Sequence, residues 1–421
     1  MNGLLDFLNE SLTVYHATDK IKSVLLENGF SKLSERDDFA IVENGKYFVE
    51  RDGSAIIAFT VGRLDNFSYK ITASHLDASC LKLKSNPLKN TGAGVTLNTE
   101  PYGGGIWYSF FDRPLKIAGR VVKSENGRVF AETVTSPYFI TVPSLAIHQQ
   151  RGVNESFSVN EQIDLQPLLA LTNGDDWLNK IIGGNVVSYD LYAVPAQSPY
   201  RFGCNDEFIA SPRIDNLTSV YACLQALLNH AESDGICVSA FLNSEEIGNR
   251  TPTGAEGDFV ETTLKRIAYA LRFDDNEFYK ALASSFFLSV DNAHAVHPNH
   301  PETSDPTNKT ALGGGVVIKS HAKGAYITSG MSSAVVQTLF DKAGVKHQAF
   351  FNRSNVRSGT TLGVSALTKT SMAGADIGLA QLAMHSACEC FCADDFIELT
   401  NGLTAFYSSD ILVDENGFIV K

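Results

Sequence analysis

The side chains of this sequence best suited to bind a metal or move a proton fall where strand-like runs end. They are His75 and Asp77, Asp215, the pair Glu245 and Glu246, Asp291 and His385. A two-metal hydrolase needs two histidines and three carboxylates to hold its ions, and one further carboxylate as base. This set supplies them. Adjacent carboxylates such as Glu245 and Glu246 repel each other unless a cation or a shared proton compensates. Singly, each residue has an ordinary explanation. A lone histidine is usually a hydrogen-bonded structural residue, a lone aspartate a helix cap, and an acid pair a solvated loop. Their shared placement is what points to chemistry.

That placement depends on the elements around them. Asp215 lies in Ser211-Pro212-Arg213-Ile214-Asp215-Asn216, ahead of a segment with Leu217, Val220, Tyr221, Leu224, Leu227 and Leu228 on one helical face. Ile236 to Leu242 has strand composition and leads into Ser244-Glu245-Glu246. Tyr69 to Ser74 runs into His75-Leu76-Asp77, Ser285 to Val290 into Asp291, and Ala373 to Leu379 toward Met384-His385. Ligands of open α/β sheets sit outside the carboxyl ends of strands, where all these residues would lie. Leu4, Leu5, Phe7, Leu8 and Leu12 suggest a first helix. Ile21, Val24, Leu25 and Leu26 suggest a second, closed by Gly29. Lys46–Val49 and Ser54–Val61 read as strands, Asp258–Leu271 and Ser332–Ala343 as helices, and the tail as amphipathic to Tyr407.

From Pro87 the texture changes. Glycines interrupt short β-rich runs, and no long helical pattern appears until about Gln166. Ile117–Lys123 and Arg128–Val134 flank Glu125-Asn126-Gly127, a hairpin signal because Asn-Gly accepts positive φ. Tyr138–Val142 reads as another strand. The expected organisation is an α/β domain over residues 1–86 and 203–421, with a β-rich domain inserted at 87–202.

The composition excludes several functions. With 421 residues and 44% hydrophobic content the chain can bury a large core. A net charge of −13 argues against a nucleic-acid partner, which requires a basic patch. No run reaches the ~18 apolar residues of a membrane span. Met1 to Phe30 carries Asp6, Glu10, Asp19 and Glu27, so no secretory signal is expected there. Seven scattered cysteines form no disulfide framework, which fits a reduced, cytoplasmic setting. Cys388, Cys390 and Cys392 alternate as on a buried strand, without the Cys-x-x-Cys pair of a metal clip.

Taken together, the motifs resemble the aspartyl aminopeptidase family of di-zinc metallopeptidases. The matching stretches include Ala73–Asp77, Tyr102–Trp107, Phe111–Arg113, Leu145–His148, Val153–Glu155, Ser211–Asn216, Glu245–Gly248, Asp291–Asn299 and Leu382–Ser386. The resemblance implies that the α/β domain is catalytic, a mixed-sheet metallopeptidase domain, that the inserted β-rich domain is a dimerisation domain, and that each chain holds two divalent ions. Zinc is favoured, though the same donors suit cobalt or manganese. It implies that His75, Asp215 and Asp291 hold one ion, and Asp215, Glu246 and His385 the other, with Asp215 bridging. Asp77 would accept a hydrogen bond from the His75 ring, and Glu245 would be the general base. Lys319 and the Arg353–Gly363 stretch, Gly359 and Thr360 among it, match positions near the substrate, and His148 would reach a neighbouring subunit's site. The implied substrates are peptides with a free N-terminus, with an acidic first residue a possibility the family contains. The implied assembly is a homo-oligomer, from a dimer up to a dodecameric shell.

Three positions depart from the family pattern. Leu76 and Ala78 replace the usual Thr and Ser around Asp77, and Ser244 replaces the usual His before the glutamate pair. Two other functions share much of this sequence signal. One is an amidohydrolase of the same metal architecture, separable by whether a free α-amine is required. The other is a non-catalytic assembly protein, against which stands the intact set of ligands and base.

Overall fold

A computed structural model of the chain describes residues 1–421 apart from 173, 175 and 183. Its largest element is a nine-stranded mixed sheet. The order across it is Ser31–Leu33, Lys46–Arg51, Ala55–Val61, Ile236–Leu242, Tyr69–His75, Phe286–Val290, Ala373–Gly378, Val316–Ser320 and His347–Phe351. The strands Ile236–Leu242, Tyr69–His75, Phe286–Val290 and Ala373–Gly378 are mutually parallel neighbours. Every residue of the first three is buried. Parallel strands are covered on both faces, which is why these segments read as continuous rather than alternating apolar runs.

The helices Asn2–Glu10, Val14–Glu27, Ile214–Asn229, Gly330–Ala343 and Ala393–Ser408 cover one face. Phe259–Ala270, Asp275–Ala283 and Leu362–Thr370 cover the other. Helix Ile214–Asn229 follows its 3.6-residue pattern: Leu217, Val220, Leu224 and Leu227 are buried, while Tyr221 and Leu228 are half-buried at the rim. Each fully buried side chain of this kind contributes ~1.5–3 kcal/mol. The polar face of Tyr69–His75 is also buried. Lys70 Nζ donates to the Tyr407 and Ser409 carbonyls at 2.8 Å, placing a cation at the carboxyl end of helix Ala393–Ser408.

A six-stranded antiparallel sheet is built from Cys80–Asn90, Val95–Tyr102, Leu115–Glu125, Arg128–Thr135, Leu168–Ala170 and Val186–Pro195. It has its own core, including Leu81, Leu97, Ile117 and Leu191. Glu125 pairs with Arg128 across Asn126 (φ +50°) and Gly127 (φ +80°), the two-residue turn expected there. Tyr138–Val142 is not the regular strand expected. Ile140, Thr141 and Val142 each make only an isolated bridge. Pro137 and Pro143 flank the segment and lack the N–H groups a ladder needs.

A five-stranded sheet joins Tyr200–Phe202, Phe208–Ser211, Glu389–Cys392, Ala380–Leu382 and Ala293–His294. All seven cysteines are free, and Cys390 and Cys392 do alternate along one of its strands. No helix among the described residues is long and apolar enough to cross a membrane.

Candidate metal centre

The chain leaves strand Tyr69–His75 and later returns on both sides of it, as Ile236–Leu242 and as Phe286–Val290. Such a switch in strand order opens a crevice at the carboxyl ends. His75 is the last residue of the middle strand, paired with Leu242. Asp291 directly follows Val290, and Glu245–Ile247 form a short turn just beyond Leu242. Asp215 enters from the first turn of helix Ile214–Asn229, where its backbone is not helical (φ −79°, ψ 109°). The Asn216 amide donates to the Val290 carbonyl at 2.9 Å, and the Asn292 amide to the Ile214 carbonyl at 3.0 Å. Those bonds tie the helix start to the strand end that carries Asp291.

Two trios of ligand atoms result, each drawn together within 4.8 Å: His75, Asp215 and Asp291, then Asp215, Glu246 and His385. His75 Nε2 lies 3.3 Å from Asp215 Oδ1 and 3.7 Å from Asp291 Oδ1. His385 Nε2 lies 3.6 Å from Asp215 Oδ2 and 3.4 Å from Glu246 Oε2. Asp215 therefore turns one oxygen to each histidine. Both rings have Nδ1 engaged by a backbone carbonyl, His75 with Asp77 O at 3.0 Å and His385 with Gly104 O at 2.9 Å. That contact puts the ring proton on Nδ1 and leaves Nε2 free to bind a metal.

The electrostatics favour a cation. Asp215 Oδ1 and Glu246 Oε1 are buried without a hydrogen-bond partner, a costly state for carboxylate oxygens. Burial pulls the His75 imidazole down, yet Asp215, Asp291 and Asp77 raise it well above its ordinary value. Burial and then the surrounding acids push Glu246 far up. Burial likewise raises Glu245, with Asp291, Glu246 and Asp77 adding to it against the pull of His75. Imidazole and carboxylate donors of this kind fit zinc. Solvent reaches the centre from the side of His385, whose side chain is 31% exposed against 2% for His75.

Asp77 differs from expectation. Its backbone oxygen, not its carboxylate, meets the His75 ring; Oδ1 stands at 3.6 Å from Nδ1. The carboxylate instead accepts from the N–H groups of Glu245 and Glu246, each at 3.2 Å, and from Tyr102 Oη at 2.9 Å. A carboxylate that gathers consecutive N–H groups fixes a tight turn, and here the turn carries the glutamate pair.

Glu389 was not expected from the sequence. It is buried, and its carboxylate accepts from Asp215 N at 3.0 Å, His385 N at 2.7 Å and Gln381 Nε2 at 3.3 Å. Burial and the Asp215 charge push its carboxyl up to about 8, while the two N–H groups pull it down. The glycine run after Tyr102 also contributes more than its motif match suggested. Gly104 supplies the carbonyl under His385, and Ile106 N donates to His385 O at 2.9 Å. A Cβ on Gly103 (φ +77°) would come within 3.2 Å of Glu246 Oε2, so the chain passes there only as glycine.

The remaining anticipated residues fall into two groups. Lys319 belongs to the centre. It is buried, with Nζ 3.7 Å from Asp291 Oδ2, 3.2 Å from Asn292 O and 5.2 Å from the centre of the Tyr326 ring. Its cross-strand partner is Asp376, which accepts from Thr361 Oγ1 at 2.6 Å. Gly359 and Thr360 are exposed in the loop before Thr361; a Cβ on Gly359 would meet nothing within 4 Å, and Thr360 makes no side-chain hydrogen bond among the described residues. His148 is exposed too, in the segment beyond Val142, and makes no side-chain hydrogen bond among the described residues. Within one chain, neither His148 nor the loop completes the centre.

The profile of the family described as "Aminopeptidase I zinc metalloprotease (M18)" matches residues 7–407. A Clostridium acetobutylicum protein named "Probable M18 family aminopeptidase 2" is 38% identical over 423 residues, covering 96% of this chain and 98% of the relative. In the solved Ape4 and Nbr1 complex, one chain superposes with a TM-score of 0.92 at 32% identity, over 97% of this chain and 85% of that one. The S. cerevisiae mApe1 dodecamer has the same fold, with a TM-score of 0.82 at 24% identity over 96% of this chain and 95% of that one.

Proposed function

We propose, for a chain that belongs to the M18 family of zinc metallopeptidases and is an aminopeptidase, that it works with two ions sharing Asp215. The observation that carries this reading is the division of Asp215, one oxygen toward the His75–Asp291 trio and the other toward Glu246–His385. When bound, the ions would supply Lewis acidity at the scissile carbonyl and lower the pKa of a water. His75 and Asp291 would hold one, and Glu246 and His385 the other. Glu245 is the group left to move protons, since its carboxylate belongs to neither trio. It stands beside Glu246 on the same short turn, where its carboxylate would take a proton from the attacking water and pass it to the leaving amine.

Substrate selection follows from charge. Asp291 is the carboxylate nearest Lys319, and a metal would claim much of its charge. The Lys319 ammonium, still balanced in part by the buried Asp376 carboxylate, would then be a cation beside the reacting groups, favouring peptides with an N-terminal Asp or Glu. The assembly reading rests on exposed apolar residues between positions 87 and 202, among them Tyr108, Phe139, Leu145 and Ile147, and on the dodecameric yeast relative. In such an assembly His148 would complete a neighbouring chain's site.

The test is a pair of isosteric variants. Glu245→Gln should keep both ions and lose ~10²–10⁴ in kcat, the usual range for proton transfer. Glu246→Gln should lose metal as well as activity. If instead Glu245→Gln sheds metal and Glu246→Gln keeps it, the two roles are reversed. Light scattering on the same preparations checks the assembly, and a monodisperse monomer would refute it.

A further inference from the structure

The ligands of the two proposed ions are held in different ways. His75 ends a central strand, paired with Leu242, and Asp291 N donates to the Ile377 carbonyl at 2.8 Å as the sheet ladder runs out. These two are placed by the sheet. Asp215 stands at the non-helical start of helix Ile214–Asn229, Glu246 on the short turn Glu245–Ile247 and His385 on a loop, and none of their backbone N–H groups is bonded within a sheet. Each is taken instead by a buried carboxylate outside the two trios. Glu246 N goes to Asp77, and both Asp215 N and His385 N go to Glu389.

Glu389 is placed for this work. It opens the strand Glu389–Cys392 and pairs with Ser211, the last residue before the loop that leads to Asp215. Its Oε1 faces back along its own chain to His385, and its Oε2 faces across to Asp215. One side chain thus spans the two loops. His385 also needs a restraint, since its backbone is left-handed (φ +67°) at a non-glycine residue, as is that of Ala383 (φ +57°). Such a conformation is strained and persists only where neighbouring structure fixes it.

We infer that Glu389 is a positioning residue for the second ion, setting the affinity of the Asp215–Glu246–His385 site while leaving the His75–Asp291 side much less affected. This rests on the two-ion reading above. Two of the three ligands of the second trio depend on Glu389, but only Asp215 of the first. Partners that orient metal ligands are worth ~10–100-fold in affinity, and that is the loss expected at the second site.

The experiment measures zinc bound per chain against free zinc in the full-length protein, stripped and redialysed, for wild type and Glu389→Gln. The isosteric amide keeps the shape and loses one of the two acceptor oxygens. His385→Ala and His75→Ala identify which binding step belongs to which site. Glu389→Gln should weaken by ten-fold or more the step that His385→Ala abolishes, and shift the other by no more than about three-fold. Asp395→Asn is the structural control. Asp395 is another buried carboxylate that gathers two N–H groups, from Gly313 and Gly315 at 2.8 and 2.7 Å, away from the ions. It should lower the melting temperature and move neither step. Equal weakening of both steps, or none, in folded Glu389→Gln overturns the assignment. If Glu389→Gln does not fold, Glu389→Asp replaces it; the shortened carboxylate cannot span both loops, so the same selective loss is expected and its absence is equally decisive. Failure of the two-ion reading has a different signature: wild type saturating below two zinc ions per chain.

Discussion

Replacing Asp77 by Asn tests whether this carboxylate serves the histidine or the glutamate turn. Oδ1 accepts from Glu245 N, while Oδ2 accepts from both Glu246 N and Tyr102 Oη. Asparagine retains one acceptor oxygen. The less costly flip puts it in the Oδ2 position, where two donors stay satisfied. Its NH₂ then confronts the N–H of Glu245, a donor against a donor. Losing one hydrogen bond to a charged acceptor costs ~1.5–3 kcal/mol, and the opposite flip loses the Glu246 bond and also forces Tyr102 Oη to accept instead of donate. Part of this is returned in the metal-free protein, because the Asp77 charge repels both Glu245 and Glu246. The deficit should therefore be larger with zinc bound than without it.

The freed group is the backbone of the proposed base, so kcat should fall by ~10–10², short of deleting the base itself. The His75 ring is expected to stay in place, because its Nδ1 bonds the backbone carbonyl of residue 77, which asparagine preserves. Denaturant unfolding with and without zinc, steady-state kinetics and zinc titration together decide the matter. If Asp77→Asn keeps wild-type kcat but weakens the step lost in His75→Ala, the carboxylate serves the ring and the turn argument fails.

Two other perturbations check separate parts of the structure. Lys319→Met should remove any preference for N-terminal Asp and Glu over Leu and Ala substrates; an unchanged ranking would exclude Lys319 from selection. His16 tests the seam between helix Val14–Glu27 and the six-stranded sheet, where its ring contacts Thr13 Oγ1 at 2.9 Å and Thr135 Oγ1 at 2.8 Å. Burial depresses its pKa from 6.5 to about 4, so between those values the unfolded chain binds the extra proton and stability falls as pH is lowered. At most ~3 kcal/mol is lost over that window, and His16→Gln should flatten this part of the pH–stability curve, which thermal unfolding at pH 7 and pH 4.5 would measure.

The residues of both trios are legible in the sequence, those that the sheet positions most directly; the buried carboxylate that anchors two of the others is not. Buried parallel strands announce themselves as unbroken apolar runs, and a polar residue at the end of such a run stands out. His75, Asp291 and the glutamate pair are visible for that reason, and Asp215 because a strongly periodic helix follows it. Glu389 carries no such mark. It opens a four-residue strand among cysteines, and its role arises from a contact with Asp215, 174 residues away in the chain. Helix Asp275–Ala283 is a different omission. Asp274 and Glu277 form a reciprocal capping box, whose three-residue spacing is present in the sequence ahead of a nine-residue helix. The last two strands of the large sheet, Val316–Ser320 and His347–Phe351, are five residues each, and their pairing partners decide their state more than their composition does.

The same distinction bears on how the centre works. A ligand at the end of a central strand moves only if the sheet moves, whereas a ligand on a loop moves when its anchoring hydrogen bonds change. The adjustable half, Asp215, Glu246 and His385, is not uniformly on the open side: His385 is 31% exposed, but Asp215 at 6% and Glu246 at 3% are more enclosed than the sheet-borne Asp291 at 10%. Solvent therefore meets His385 first, and the two carboxylates of its trio lie deeper. The two buried anchors make that adjustable half costly to displace. Asp77 is bound to Tyr102 of the six-stranded sheet, and Gly104 of the same loop lies under His385. The region between 87 and 202 thus reaches the chemistry of its own chain through Tyr102 and Gly104. A change in how that region packs against another subunit would reach the proposed base and the Asp215–Glu246–His385 trio through these contacts.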